Sequence, residues 1–124
     1  MKLTVLEGEF TIHRFSPESK IPALIFECSF YSISRTEEEL SIVCSSRIHL
    51  NSARSETGWT CIKVSGPLDL SQTGILADIS GVLAREEISI FALSTFDTDY
   101  ILVTSDKLEA AKKALQKAGY IIQG

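Results

Sequence analysis

Residues 88–103 read ISIFALSTFDTDYILV, and this stretch decides the fold. An apolar, β-prone run covers Ile88 to Ser94, and a second run covers Asp99 to Thr104 after a short polar connector. Two such runs joined by a few turn-forming residues are typical of a β-hairpin. The pattern therefore predicts two antiparallel strands in the second half of the chain.

The segment before this hairpin predicts a strand followed by a helix. Residues 59–65 are apolar and β-prone, and Gly66-Pro67 ends the run. Apolar residues then recur at helical spacing from Ile75 to Leu83, which indicates an amphipathic helix that starts near Ser71.

The segment after the hairpin predicts a second helix and a last strand. Residues 106–109 have the acid-x-x-Glu form of a capping box, and Gly119 suits a left-handed helix end. Residues 120–122 are a short β-prone run. The complete order is β-α-β-β-α-β, which is the order of ferredoxin-like α+β folds.

The first half of the chain is rich in predicted strands and carries a second hairpin pattern. Residues 9–15 alternate between apolar and polar, and the runs 29–34 and 40–44 flank a polar connector. Residues 45–57 are rich in Ser, Arg and Asn and favour a linker. No second helix is indicated before this linker.

An internal repeat relates the two hairpin patterns. Shifting residues 29–44 forward by 60 positions lays Tyr31 on Phe91 and Val43 on Val103. The first half therefore looks like a trimmed copy of the second, and we expect it to pack on the second half rather than to fold alone.

Length, composition and charge bound the class of protein. The chain has 124 residues, of which 44% are hydrophobic, and its formal net charge is −4. An acidic chain has no electrostatic attraction to nucleic acid or to anionic lipid. The apolar stretch at the start is too short for a signal peptide, and no run is long enough to cross a bilayer. We therefore expect a cytoplasmic protein that binds neither nucleic acid nor membranes.

The residues that usually carry catalysis show no catalytic spacing. Cys28, Cys44 and Cys61 are odd in number, lack a Cys-x-x-Cys pair and lie in apolar, strand-like segments, which favours buried structural thiols. His13 and His49 belong to no metal-binding pattern, and no nucleophile elbow or phosphate-binding loop occurs. The sequence predicts a protein that is not an enzyme and that holds no metal and no cofactor.

The strings ISIF at 88–91 and STFDTDYILV at 94–103, with residues 66–76 before them, resemble the ACT domains of the CASTOR arginine-sensor family and its bacterial relatives. The resemblance covers roughly residues 59–119. It extends more weakly to the first half, through FYSISRT at 30–36 and ELSIV at 39–43.

The resemblance implies a tandem arrangement with two parts. A ferredoxin-like α+β ACT domain would cover residues 58–124, and a degenerate ACT-like, β-rich unit with its linker would cover residues 1–57. It also implies a small-molecule sensor, with an amino acid as ligand, that acts through an ACT-domain dimer interface. The expected partners are therefore the ligand and a second copy of the chain, besides a further protein that the sequence does not identify.

The resemblance also implies which residues contact the ligand at the seam between two ACT units. One unit contributes Ser89 and Ile90, and the other contributes the loop 69–74 together with residues of the hairpin. The candidate ligand-binding residues are Asp69, Gln72, Gly74, Ser89, Ile90, Thr95, Phe96 and Asp99.

The chemistry of a free amino acid gives an independent reason for a site here. A zwitterion needs backbone N–H groups for its carboxylate and oxygen acceptors for its ammonium. The loop 69–74 leads into a helix N-terminus, which supplies the first, and Asp99 supplies the second. Gln72 stands where the arginine sensors have an acid, and Asp69 stands where they have a glycine. Arginine is therefore in doubt as the ligand, while the amino-acid class remains.

Each candidate residue also has an ordinary structural interpretation. Asp is favoured in hairpin turns generally, so Asp99 fits a turn, and Gly74 fits a helix cap. Ser89 and Ile90 fit strand positions that pack in a sheet, and Phe96 fits a core position. At the level of function, a ligand-free protein-interaction or dimerisation module remains the alternative. An RNA platform is disfavoured because the predicted strand 99–104 has no basic residue.

Overall fold

The computed structural model describes residues 2–64 and 74–124. The regular elements in chain order are β1 (Lys2–Val5), β2 (Phe10–Phe15), β3 (Ser32–Arg35), β4 (Leu40–Ser45), β5 (Arg54–Val64), α1 (Ile75–Arg85), β6 (Phe91–Ser94), β7 (Asp99–Thr104), α2 (Leu108–Lys117) and β8 (Ile121–Gln123). Short 3₁₀ helices cover Ala23–Glu27 and Ser105–Lys107.

Contacts divide the chain into two compact units. The inserted unit is Gly8–Trp59, and the C-terminal unit is Met1–Glu7 together with Thr60–Gly124. The division into residues 1–57 and 58–124 remains a prediction. The contacts place β1 in the same unit as the later residues. Strand β5 contributes its first part to the inserted unit and its second part to the C-terminal unit.

The C-terminal unit confirms the predicted ferredoxin-like α+β fold. Its strands follow the order β6-β7-β5-β1-β8, and the β6–β7 hairpin is antiparallel. The predicted stripe of α1 is buried at Ile79, Val82 and Leu83, and α2 buries Ala111 and Leu115. These helix residues share one core cluster with the sheet residues Leu3, Ile62, Val64, Ile101 and Val103.

Strand β1 is an element that the sequence pattern did not reveal. It pairs antiparallel with β5 and parallel with β8, so it lies between the two. Leu3 is opposite Val64 on one side and Ile122 on the other, and its side chain has no solvent exposure. Four residues are too few to show a period, and their strand partners lie far away in the sequence.

The beginning of α2 corrects the predicted capping box, and its end confirms the predicted stop. Asp106 lies in the 3₁₀ helix Ser105–Lys107, and α2 begins at Leu108 with no side-chain hydrogen bond at its N-cap. The 3₁₀ turn shifts the start of the helix past the acid, so the box does not form. Gly119 has a φ of 103°, and Tyr120 N–H behind it donates to the Leu115 carbonyl at 3.0 Å.

The inserted unit is a sheet in the order β3-β4-β2-β5 with one 3₁₀ helix. Ile25 of the 3₁₀ helix has no exposure and packs in a cluster with Phe15, Leu40, Ile42 and Cys44. Residues 54–57, predicted as linker, are instead the beginning of β5 and pair with β2. Their side chains are all exposed, which is why no apolar alternation marked them as strand.

The two hairpins confirm the internal repeat but correct its offset. Ser32 pairs with Val43, and Phe91 pairs with Leu102, so equivalent positions are 59 residues apart rather than 60. Because successive side chains of a strand point to opposite faces, a slip of one residue exchanges the two faces. The correct offset aligns Thr36 with Thr95, and each of these residues donates its backbone N–H across a four-residue turn.

The cysteines are partly as predicted. Cys44 and Cys61 are buried in strands, and burial raises their thiol pKa values to about 11 and about 12. Cys28 is different, since it caps the 3₁₀ helix Ala23–Glu27 and is half-exposed. Within residues 2–64 and 74–124, no helix has the length and apolarity needed to cross a membrane.

His13 is a buried titratable group in the inserted unit. The His13 Nδ1 atom lies 2.8 Å from the Ser52 hydroxyl oxygen, and the residue is 5% exposed. The Nε2 atom has no hydrogen-bond partner among the described residues. Burial lowers the pKa of the imidazole because desolvation disfavours the charged form. Burial in this unit therefore favours the neutral form of the His13 imidazole.

We predict that replacing Leu3 by Ala lowers the free energy of unfolding by about 2–5 kcal/mol, since it empties a buried position between β5 and β8. The matched change Lys2→Ala, on the exposed side of the same strand, should stay within about 0.5 kcal/mol. Denaturant unfolding measures both. Equally small losses of unfolding free energy in both variants would contradict the packing of Leu3 between β5 and β8.

We predict that the protein loses stability as pH falls below the ordinary histidine pKa of 6.5. The unfolded chain binds a proton there that folded His13 resists, so the free energy of unfolding falls by up to about 1.4 kcal/mol per pH unit. Urea titrations at several pH values should show this slope. His13→Gln should reduce it, whereas His49→Gln, at an exposed position, should not.

Candidate functional site

The β6–β7 hairpin holds three of the predicted ligand residues together. Ser94 and Asp99 form the last residue pair of its ladder, and the Ser94 hydroxyl donates to Asp99 Oδ1 at 2.6 Å. This bond fixes the Asp99 carboxyl group at the mouth of the hairpin. The acid therefore has a cross-strand role in the fold and is also placed to meet a ligand.

The turn beyond this pair is closed by Thr95. Its N–H and its hydroxyl both donate to the Thr98 carbonyl, at 2.8 Å and 3.0 Å. Phe96 follows at the tip and is 76% exposed. The interpretation of Phe96 as a core residue is therefore wrong, and the hairpin presents an aromatic ring to its surroundings.

Ser89 and Ile90 lie at the other end of β6, just before its first residue Phe91. Ser89 is exposed, whereas Ile90 is half-buried and packs against the core cluster. From Ile90 to Thr95 an extended chain spans roughly 17 Å at 3.3–3.4 Å per residue. One copy of the chain therefore does not bring Ser89 and Ile90 together with the hairpin mouth.

The third predicted component is the N-terminus of α1. Gly74 is its N-cap with a φ of 89°, and its carbonyl accepts the Asp78 N–H at 2.7 Å. Gly74 is exposed, and a Cβ built on it would have no neighbour within 4 Å. Asp69 and Gln72 lie outside the described residues.

Two tyrosines lie near these elements and were not predicted. The Tyr120 hydroxyl donates a hydrogen bond to Asp78 Oδ2. Asp78 is the acidic residue in the first turn of α1. Burial, then this hydrogen bond and the charge of Asp78, raise the pKa of Tyr120 to about 12. Burial, followed by the charge of Cys61, also raises the pKa of Tyr100 in β7. Both phenols therefore stay protonated at neutral pH.

The described part of the chain holds no group of three or more His, Cys, Asp or Glu residues that could bind a metal ion. An open groove of about 190 Å³ lies between α1 and α2, and its lining includes Val82, Arg85 and Lys117. None of the predicted ligand residues that the structure describes lines this groove. Among the described residues, the site suggested by the sequence consists of the exposed turn of the β6–β7 hairpin and the N-terminal end of α1.

The fold and the hairpin define an ACT-type α+β domain. A family model described as the ACT domain matches residues 54–117, and a second model, described as an N-terminal domain, matches residues 8–48. The first match spans more than half of the chain. The chain belongs to the ACT domain family, as a CASTOR-like member.

A curated relative is similar over most of this chain. The "Cytosolic arginine sensor for mTORC1 subunit 1" of Pongo abelii is 32% identical over 127 residues, which covers 92% of this chain and 37% of the relative. The human protein of the same name is 33% identical over 98 residues and is covered to 30%. The chain thus spans about a third of the length of these relatives.

Solved structures extend the comparison to bacterial proteins. A protein from Agobacterium tumefaciens is 41% identical with a TM-score of 0.89, and the match covers 98% of this chain and 90% of that one. The aspartate kinase of Clostridium acetobutylicum, 17% identical with a TM-score of 0.66, is matched over 90% of this chain and 33% of the kinase. The kinase likeness concerns the fold alone.

We predict opposite effects for the same substitution at two glycines of α1. Gly74→Ala should lower the free energy of unfolding by roughly 1 kcal/mol, because a side chain resists the left-handed φ even where space is free. Gly81→Ala should raise it by about 0.5–1 kcal/mol, since Gly81 is inside the helix and its Cβ would meet only Arg85 Nη1 at 3.8 Å. Thermal unfolding of both variants tests the cap, and a stabilising Gly74→Ala would contradict it.

Proposed function

We propose that this chain is a regulatory sensor that binds a small molecule, an amino acid, at the seam between two ACT units of a homodimer. The observation that carries the proposal is the separation of the predicted ligand residues. Ser89 and Ile90 precede β6, whereas Thr95, Phe96 and Asp99 follow it. A second copy of the chain completes a site that one copy leaves open.

The position of β6 in the sheet supports this assembly. Among the described residues β6 pairs with β7 only, so its other side is an open edge. Open edges pair readily with another strand. If two β6 strands pair antiparallel around a two-fold axis, the beginning of each strand lies beside the end of the other. Ser89 and Ile90 of one copy then approach the hairpin mouth of its partner.

The polar groups suit the two charges of an amino acid. Asp99 uses Oδ1 for the bond from Ser94, and we propose Oδ2 as an acceptor for the ligand ammonium. The helix N-terminus that begins at Gly74 carries backbone N–H groups and a partial positive charge, which favour the ligand carboxylate. Asp69 and Gln72 are proposed to line the same site from the loop before Gly74.

The relatives support the class of function and leave the ligand open. Two of them carry the name of a cytosolic arginine sensor, which supports amino-acid sensing in the cytosol and gives no support for catalysis. Gln72 and Asp69 argue against arginine itself, because Gln72 lacks the charge that would pair with a guanidinium group. We propose binding of another amino acid, without a metal or a cofactor.

A ligand-free dimerisation or protein-interaction module is the second candidate function. Two observations favour it: the Asp99 carboxylate already has a partner in Ser94, and Phe96 presents an apolar ring at the hairpin tip. In this case the β6 edge would still form a dimer, while Phe96 would contact another protein.

The deciding experiment is thermal unfolding of the purified chain with each common amino acid at millimolar concentration. A ligand at about 100 times its dissociation constant should raise the free energy of unfolding by about 2.7 kcal/mol. We expect a clear upward shift with one chemical class of amino acid. No shift with any of them would contradict the sensor and favour the interaction module.

Matched variants of the hairpin test the role of Asp99. We predict that Asp99→Ala abolishes the ligand-induced shift at little cost to the stability of the free protein. Asp97→Ala, the exposed acid of the same turn, should keep the shift. Ser94→Ala removes the cross-strand bond but keeps the carboxylate, so it should also retain binding. A large loss of stability in Asp99→Ala without ligand would make the acid structural.

A further inference from the structure

Two of the three cysteines share one apolar cluster in the inserted unit. Cys44 lies on β4 in the cluster with Ile25, and Cys28 packs against the same cluster. Cys28 donates its backbone N–H to the Ile25 carbonyl at 3.1 Å, which is the i to i+3 bond of a 3₁₀ turn. Residues three apart eclipse each other in such a turn, so Cys28 follows Ile25 towards the cluster.

The two thiols differ in access. Cys44 has no solvent exposure, whereas Cys28 is half-exposed at the end of the 3₁₀ helix. Burial, followed by the charge of Cys28, raises the pKa of the Cys44 thiol to about 11, and both side chains belong to the same apolar cluster. A small oxidant therefore meets Cys28 first, and the second thiol lies in the cluster on which Cys28 packs.

We propose that Cys28 and Cys44 form a reversible disulfide when the protein meets a peroxide. In the first step the Cys28 thiolate attacks hydrogen peroxide and becomes a sulfenic acid, with release of hydroxide. In the second step the Cys44 sulfur attacks the Cys28 sulfur, the S–O bond breaks, and water leaves with the Cys44 proton. The two thiols lose two hydrogens in total, and one peroxide is reduced to two waters.

The crosslink would tie the end of the 3₁₀ helix to β4 and close the segment between them, which contains β3 and its turn. It would reduce the freedom of the unfolded chain, so the oxidised protein should unfold at a higher temperature than the reduced one. The inference is independent of the proposed ligand site, since neither cysteine lies in the β6–β7 hairpin.

The test is mass spectrometry of the intact folded chain after treatment with hydrogen peroxide, followed by peptide mapping without a reductant. We expect the loss of two hydrogens, one peptide pair that joins Cys28 to Cys44, and full reversal by dithiothreitol. Oxygen gain without hydrogen loss, or a Cys28–Cys28 crosslink between two chains, would overturn the proposal.

Variants assign the roles of the two sulfurs. Cys28→Ser should prevent the reaction, and Cys44→Ser should stop at a sulfenic acid that dimedone traps with one added label. Cys61→Ser, which removes the buried thiol of the C-terminal unit, should react like the unmodified chain. Hydrogen loss that persists in Cys44→Ser but disappears in Cys61→Ser would also overturn the proposal. If Cys44→Ser fails to fold, the peptide map of the unmodified chain still decides.

Discussion

The backbone ladder that β1 makes with β5 and β8 holds the C-terminal unit together. Without β1, strand β8 would have no ladder partner among the described residues, and α2 would lose part of the sheet on which it packs. Leu3 of this ladder has no solvent exposure and packs in the core of the unit. The first few residues of the chain are therefore a structural part of the later unit, and the inserted unit, Gly8–Trp59, interrupts that unit in sequence.

The opposite edge of the same sheet supports the proposal that two copies of the chain form the site. An internal strand such as β1 satisfies its backbone groups on both sides, whereas β6 does so on one side only among the described residues. Ser89 and Thr95 sit at the two ends of this open strand, and the hairpin mouth is fixed by the bond from Ser94 to Asp99. In the proposed dimer, the hydrogen-bonded hairpin would hold the ligand and the unpaired side of β6 would meet the partner.

Comparison of the two hairpins shows what repetition preserves. Thr36 and Thr95 close equivalent turns in the same way, each with its N–H bonded to the carbonyl three residues later. At the corrected offset Asp99 aligns with Leu40, which is fully buried in the inserted unit. The turn is common to both units because backbone geometry demands it, while the acid belongs to the C-terminal unit alone.

Local sequence patterns were enough to predict the two hairpins, both helices and the ferredoxin-like order, because each of these rests on a local period or a turn signal. It did not reveal β1 or the first part of β5, whose few residues or exposed side chains show no period. The predicted capping box at Asp106 was also wrong, since this residue lies in a 3₁₀ turn and α2 begins at Leu108. Only the folded structure shows that Phe96 is exposed and that Asp99 accepts a hydrogen bond from Ser94. A local pattern marks a residue as strand or turn, but its exposure and its hydrogen-bond partner depend on what the folded chain packs around it.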